Sequence, residues 1–127
     1  MKRILLFLLA ALAFTGCSAD SSSDGYTQIS MDEAIGLMDE KEDYILLDVR
    51  TQEEFDEKHI PGAICVPNES IGSEDIPELP DKEQLIFVYC RSGNRSKQAS
   101  EKLAKLGYTN VLEFGGIIDW PGETVSS

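Results

Sequence analysis

The stretch Leu85–Gly107, LIFVYCRSGNRSKQASEKLAKLG, decides the fold. Leu85 to Tyr89 is a short apolar run rich in β-formers. It is bounded by charge on one side and by a Ser/Gly/Asn loop on the other, which predicts a strand. From Ser96 to Leu106, apolar Ala99, Leu103 and Leu106 recur at i, i+4 and i+7. Lys97, Glu101, Lys102 and Lys105 take the other face, and Gly107 stands where a helix stops. Between strand and helix lies Cys90-Arg91-Ser92-Gly93-Asn94-Arg95. A cysteine at the carboxyl end of a strand, facing a helix amino end, occupies the place where open α/β sheets bind ligands.

That placement carries chemistry. Backbone N–H groups of a tight glycine-containing loop can converge as an anion-binding nest. The helix behind adds partial positive charge, and Arg91 and Arg95 add two full charges. Each effect favours a thiolate and lowers the Cys90 thiol below its free value of about 8.5. The same cradle suits a small oxyanion held against the sulfur. A purely structural cysteine has no use for two arginines and a glycine in the next five residues.

Working outward, the same alternation repeats. Tyr26 to Ile29 is a short strand candidate. Ser30 with Glu33 reads as a capping box, followed by a helical stripe of Ala34, Leu37 and Met38. Tyr44 to Val49 is a continuous apolar strand holding Asp48 and leading to Arg50. Thr51 with Glu54 is a second capping box, opening a short helix to about Lys58 with Phe55 facing inward. Ala63 to Val66 is a third strand after the Pro61-Gly62 turn. Asn68 to Lys82 reads as loop with one helical turn. Asn110 to Phe114 is a last strand, and Gly115-Gly116 leads into a short helix with Ile117, Ile118 and Trp120. Strands alternating with helices predict an α/β domain with a mainly parallel sheet.

The chain has 127 residues, enough for one domain with a real core. Its net charge of −12 argues against nucleic acid or an anionic membrane surface as partner. Of the nine Lys and Arg beyond residue 3, three (Arg91, Arg95 and Lys97) cluster beside Cys90. An acidic protein that gathers its cations beside one cysteine handles an anion there. Three cysteines give no disulfide framework. Cys65, inside the third strand, is a small core residue or a resolving thiol. His59 is structural or on the surface, and Phe114 and Trp120 read as core.

Residues 1–16 form a signal segment: a basic Lys2-Arg3 start, then an apolar run from Ile4 to Phe14 too short to span a bilayer. Removing it takes two positive charges away. Ala13-Phe14-Thr15-Gly16-Cys17 resembles a bacterial lipoprotein signal. The resemblance implies lipidation of Cys17, export, and a membrane-anchored place in the cell envelope. The alternative is ordinary cleavage, for example after Cys17-Ser18-Ala19, giving a soluble periplasmic or secreted protein. Residues 17–25 read as a flexible polar tether and residues 26–127 as the folded domain.

Several stretches, taken together and in order, resemble the rhodanese family: LLDVRTQEEFDEKHIPGAICVP, IFVYCRSGNRS, the helix ending KLGY, and VLEFGGIIDW. They run from near Tyr44 to Trp120. The resemblance implies a single three-layer α/β domain, with a five-stranded mainly parallel sheet and helices on both faces. It implies a sulfurtransferase in which Cys90 takes a sulfane sulfur from thiosulfate or a similar small anionic donor. The resulting persulfide passes to cyanide or another thiophilic acceptor such as a thiol. Arg91, Ser92, Gly93, Asn94 and Arg95 match the loop that cradles donor and persulfide, and Arg95 stands where the family tunes donor choice. Asp48 and Arg50 are similar to the family's DxR; they act near the loop or form an ion pair that orders it. No cofactor or metal is implied, and contact with a membrane is expected only through a lipid on Cys17.

Such a site needs no general base, because the nucleophile is already ionised. Three other readings compete: a persulfide carrier or redox partner for another envelope protein, a non-catalytic binding module, and a rhodanese-related phosphatase. Phosphatases of that kind place arginine six residues after the cysteine. Here Arg95 comes five residues after Cys90, which leaves the loop one residue too small for a phosphoryl group.

Overall fold

The computed structural model describes residues 25–127. The expected signal segment, Cys17 and all of the expected tether but Gly25 lie outside the described residues. Five strands, β1 (Thr27–Gln28), β2 (Ile45–Asp48), β3 (Ile64–Cys65), β4 (Ile86–Cys90) and β5 (Val111–Gly116), form one sheet in the order β1-β5-β4-β2-β3. Every pairing within it is parallel. Among the described residues three helices, α1 (Met31–Glu40), α2 (Gln52–Glu57) and α3 (Asn94–Lys105), join them with two single 3-10 turns.

β4 is the middle strand, and all five of its residues are buried. This explains its unbroken apolar run: a central parallel strand is covered on both faces. Its side chains alternate between two cores. Ile86, Val88 and Cys90 join Leu47, Val49, Ala99 and Leu103 on the α3 face. Phe87 and Tyr89 join Ala34, Leu46, Ile60 and Phe114 on the opposite face, where Leu37, Met38 and Phe55 also pack. Helices therefore cover both faces of the sheet. Each buried leucine or isoleucine contributes about 1.5–3 kcal/mol.

The helix signals in the sequence take their expected geometry. The Ser30 side chain accepts from the Glu33 amide, and the Glu33 side chain accepts from the Ser30 amide. Thr51 and Glu54 do the same at α2. At the end of α3, Gly107 adopts φ +103°. Its N–H donates to Ala104 O at 3.0 Å and that of Tyr108 to Leu103 O at 3.1 Å, closing a Schellman motif.

Two boundaries differ from the sequence reading. α3 begins at Asn94 rather than Ser96. β5 runs on through Gly116, so the glycine pair belongs to the strand. Ile118, expected in a packed short helix, is 60% exposed, whereas Ile117 is buried.

The topology singles out one end of the sheet. β2 and β4 are neighbours, but their following helices lie on opposite faces and lead to opposite edges of the sheet. The space beyond their carboxyl ends is thus a topological switch point. Asp48 ends one of these strands and Cys90 the other.

Candidate active site

Cys90 is 1% exposed. The Gly93 N–H donates to its Sγ at 3.0 Å, and Ser96 Oγ lies 3.5 Å away. Gly93 is the N-cap of α3 in the left-handed region, φ +113°, and offers no capping side chain. The sulfur takes that role by accepting from the Gly93 amide, so a helix donor that would otherwise lack a partner is satisfied by the thiol. This also explains why α3 starts two residues early. Burial pushes the Cys90 thiol up, but hydrogen bonding to Ser96 and to the loop backbone outweighs it, and the net direction is below the ordinary value.

Neither arginine is hydrogen-bonded to the sulfur. Arg95 turns toward α2, where its Nη1 lies 2.7 Å from Glu54 Oε1 and its Nη2 lies 3.1 Å from Oε2. That hydrogen-bonded ion pair is the main cause that lowers Glu54 to about 2. Arg95 still feels the charge of Cys90, as a weaker influence than Glu54. The Arg91 residue is exposed, and its carbonyl accepts from the Ile118 N–H at 3.2 Å. Amides and a hydroxyl, rather than guanidinium contacts, touch the sulfur. Ser92 and Asn94 are exposed on the rim of the loop.

Asp48 and Arg50 form a buried ion pair, with Arg50 Nη2 2.7 Å from Asp48 Oδ2. Arg50 Nη2 also donates to Lys58 O at 2.6 Å. The pair therefore pins the end of β2 to the end of α2, the helix whose Glu54 holds Arg95. His59 is structural: its ring stacks on Phe55 at 3.7 Å, and its backbone pairs with Val125. Cys65 is half-buried, lines a cleft with Gln52, Ser70 and Ile76, and stands outside both core clusters. Among the described residues, no group of three or more His, Cys, Asp or Glu is placed to hold a metal ion.

Three residues of this neighbourhood escaped sequence reasoning: Glu54 in its role toward Arg95, Ser96, and Glu113. Glu113 on β5 is 2% exposed and 2.5 Å from Ser96 Oγ. A usable signal existed. An acid interrupting the apolar run Val111-Leu112-Glu113-Phe114 sits at a strand position that should be core. β5 also bulges here. Val88 faces Glu113 and Cys90 faces Gly116, so three residue steps on β5 match two on β4. Gly116 allows the loop's closest approach, since a Cβ there would stand 1.9 Å from Arg91 O.

The fold and site define an α/β domain whose strand-end cysteine caps the next helix. Residues 30–122 match the rhodanese-like domain model, and the chain belongs to that family. Residues 1–18 match the prokaryotic membrane lipoprotein lipid attachment site, in agreement with the lipoprotein-type signal read from the sequence. Among the described residues no helix is long and apolar enough to cross a membrane.

Thiosulfate sulfurtransferase PspE of Escherichia coli K12 is 38% identical over 73 residues, 58% of this chain and 70% of its own length. A putative sulfur carrier protein, YrkF of Bacillus subtilis, is 30% identical over 110 residues, 86% of this chain and 58% of its own. The solved structure described as rhodanese with anions from E. coli superposes with a TM-score of 0.60 at 34% identity, covering 66% of this chain and 99% of that one.

Proposed function

We propose that this protein is a sulfurtransferase that carries a sulfane sulfur as a persulfide on Cys90. The observation that carries the reading is the buried strand-end sulfur held by converging amides, which favour its anion. Relatives named as a thiosulfate sulfurtransferase and a sulfur carrier support it. The Cys90 thiolate attacks the outer sulfur of thiosulfate or a similar donor. A new S–S bond forms, the donor's S–S bond breaks, and sulfite leaves with the electron pair. A thiophilic acceptor, cyanide or a thiol, then attacks the outer sulfur, and Cys90 departs as thiolate. Because Cys90 is 1% exposed, donor and acceptor must present a narrow terminal atom.

Residues 91–95 form the cradle, with Arg91 at its rim and Arg95 tethered to Glu54. The Asp48–Arg50 pair holds the neighbouring strand end in place. Arg95, already engaged, is not free to wrap a phosphoryl group, which weighs against the phosphatase reading. A carrier role differs only in the acceptor, and the sulfur carrier relative favours keeping it as the second reading. The attachment-site match at residues 1–18 supports export, lipidation of Cys17, and a tether at residues 17–25 that holds the domain of residues 26–127 at the cell envelope.

Intact mass spectrometry after incubation with thiosulfate tests the chemistry. The expected result is a gain of one sulfur atom on Cys90, lost again on adding cyanide. An unchanged mass under excess donor overturns it. Persistent membrane association of a Cys17→Ser variant overturns the anchor.

A further inference from the structure

Behind the nucleophile lies a buried carboxyl that sulfur transfer as written above does not use. Glu113 projects from β5 toward the α3 side of the sheet. Its Oε2 lies 2.5 Å from Ser96 Oγ and accepts from the Gly115 N–H at 3.0 Å. Its Oε1 accepts from the Gln28 side-chain amide at 3.2 Å. None of these partners is a cation. A carboxyl at 2% exposure without a cation is an expensive occupant for a core position on a strand. Val111, two residues earlier on the same face, is apolar.

Ser96 connects this carboxyl to the sulfur. Its Oγ faces Glu113 Oε2 at 2.5 Å, Gly93 O at 2.9 Å, Gly115 O at 3.3 Å and Cys90 Sγ at 3.5 Å. A hydroxyl carries one proton, so these acceptors compete for it. We propose that Glu113 is a positioning residue for Cys90: it draws the Ser96 proton away from the sulfur and sets a negative charge behind it, keeping the sulfur basic enough to attack a donor. The inference rests on the reading of Cys90 as a sulfur-carrying nucleophile.

Sulfur transfer needs such a counterweight. The same atom attacks in the first step and departs in the second. Nucleophilicity falls as a thiol becomes more acidic, while leaving ability rises. The converging amides favour departure, and Glu113 restores attack. The other ionisable groups facing the site are already engaged or lie outside it. Glu54 of α2 is paired with Arg95 of α3, and Asp48 with Arg50 beyond β2. Arg91 is at the exposed rim, Tyr89 points to the opposite core, and Cys65 ends β3.

The test is the pH profile of Cys90 alkylation by iodoacetamide. Glu113→Gln keeps the shape, removes the charge, and supplies an N–H that can donate to Ser96, which turns the hydroxyl toward the sulfur. The alkylation midpoint is expected to fall by about one pH unit. At a pH where both proteins are fully ionised, single-turnover sulfur uptake from thiosulfate is expected to slow about threefold, while discharge to acceptor speeds up. In a Ser96→Ala background, adding Glu113→Gln should move the midpoint by less than half as much. An unmoved midpoint overturns the proposal, and an equal shift without Ser96 overturns the part given to Ser96.

Should Glu113→Gln fail to fold, NMR of the wild-type protein decides. The Glu113 side-chain carbon is expected to inflect at the pH where Cys90 ionises, and a flat trace overturns the proposal. A midpoint shift in a protein that gains no sulfur supports the role of Glu113 and refutes only the transferase reading.

Discussion

Two cysteines close two parallel strands of one sheet, and they are driven in opposite directions. Cys90 ends β4 and its thiol is pushed down; Cys65 ends β3 and its thiol is pushed up to about 11. Burial raises both. At Cys65 burial is the largest cause, Asp48 adds to it, and Arg50 only partly offsets them. Its sulfur faces a carbonyl, Arg50 O, at 3.7 Å, which favours the protonated form. At Cys90 the sulfur faces N–H groups. A strand end is therefore not enough to make a reactive thiol. The turn that follows decides, by presenting either donors or acceptors to the sulfur.

The widest separation between the two ends is in persulfide formation. Cys90→Ala should abolish the sulfur gained from thiosulfate, and Cys65→Ala should leave the wild-type rate. Mass spectrometry of each variant checks both. Loss of uptake in Cys65→Ala would erase the contrast and make Cys65 a resolving thiol.

Titration gives the next separation. Alkylation of the two sulfurs, followed in separate peptides, should show midpoints on opposite sides of the free-thiol value of about 8.5, with Cys65 near 11. The stability consequences carry opposite signs. Folding depresses the Cys90 thiol, so its contribution is present above the unfolded value of about 8.5 and is lost as pH falls through the folded value. Folding raises the Cys65 thiol, so its contribution is present below about 8.5 and is lost as pH rises toward about 11. Cys65→Ala should accordingly flatten the alkaline loss of stability in urea melts taken between those values.

Local signals carried most of the fold. The β4-loop-α3 stretch, both capping boxes and the Gly107 stop were legible because each depends on residues three or four apart. The position of Cys90 followed from the same short-range pattern. What stayed hidden depends on distance along the chain. Arg95 meets Glu54 across 41 residues, and Ser96 meets Glu113 across 17. Two nearby arginines looked like direct partners of the sulfur, but charge within a loop does not fix where a long side chain turns. The early start of α3 escaped for a related reason. Its capping group is the cysteine sulfur, which does not belong to the usual set of capping side chains.

The smallest expected effect tests what holds the β4 loop in shape. Gly116 pairs with Cys90 across the strands, and its missing Cβ leaves room for the Arg91 carbonyl. In Gly116→Ala that Cβ would lie 1.9 Å from Arg91 O and 2.6 Å from Ser92 N. Backbone cannot yield as a flexible side chain does, so the loop must shift outward and carry its amides off the sulfur. The expected cost is about 1–3 kcal/mol in urea melts, with the Cys90 alkylation midpoint moving toward the free-thiol value of about 8.5. The cleft beside Cys65 supplies the control. Gly72 lines it, and a Cβ there meets nothing within 4 Å. Gly72→Ala should change stability by no more than about 0.5 kcal/mol and leave both thiols where they were. A Gly116→Ala protein with normal stability but an unshifted Cys90 would mean that the amide cradle keeps its shape without this seal from β5.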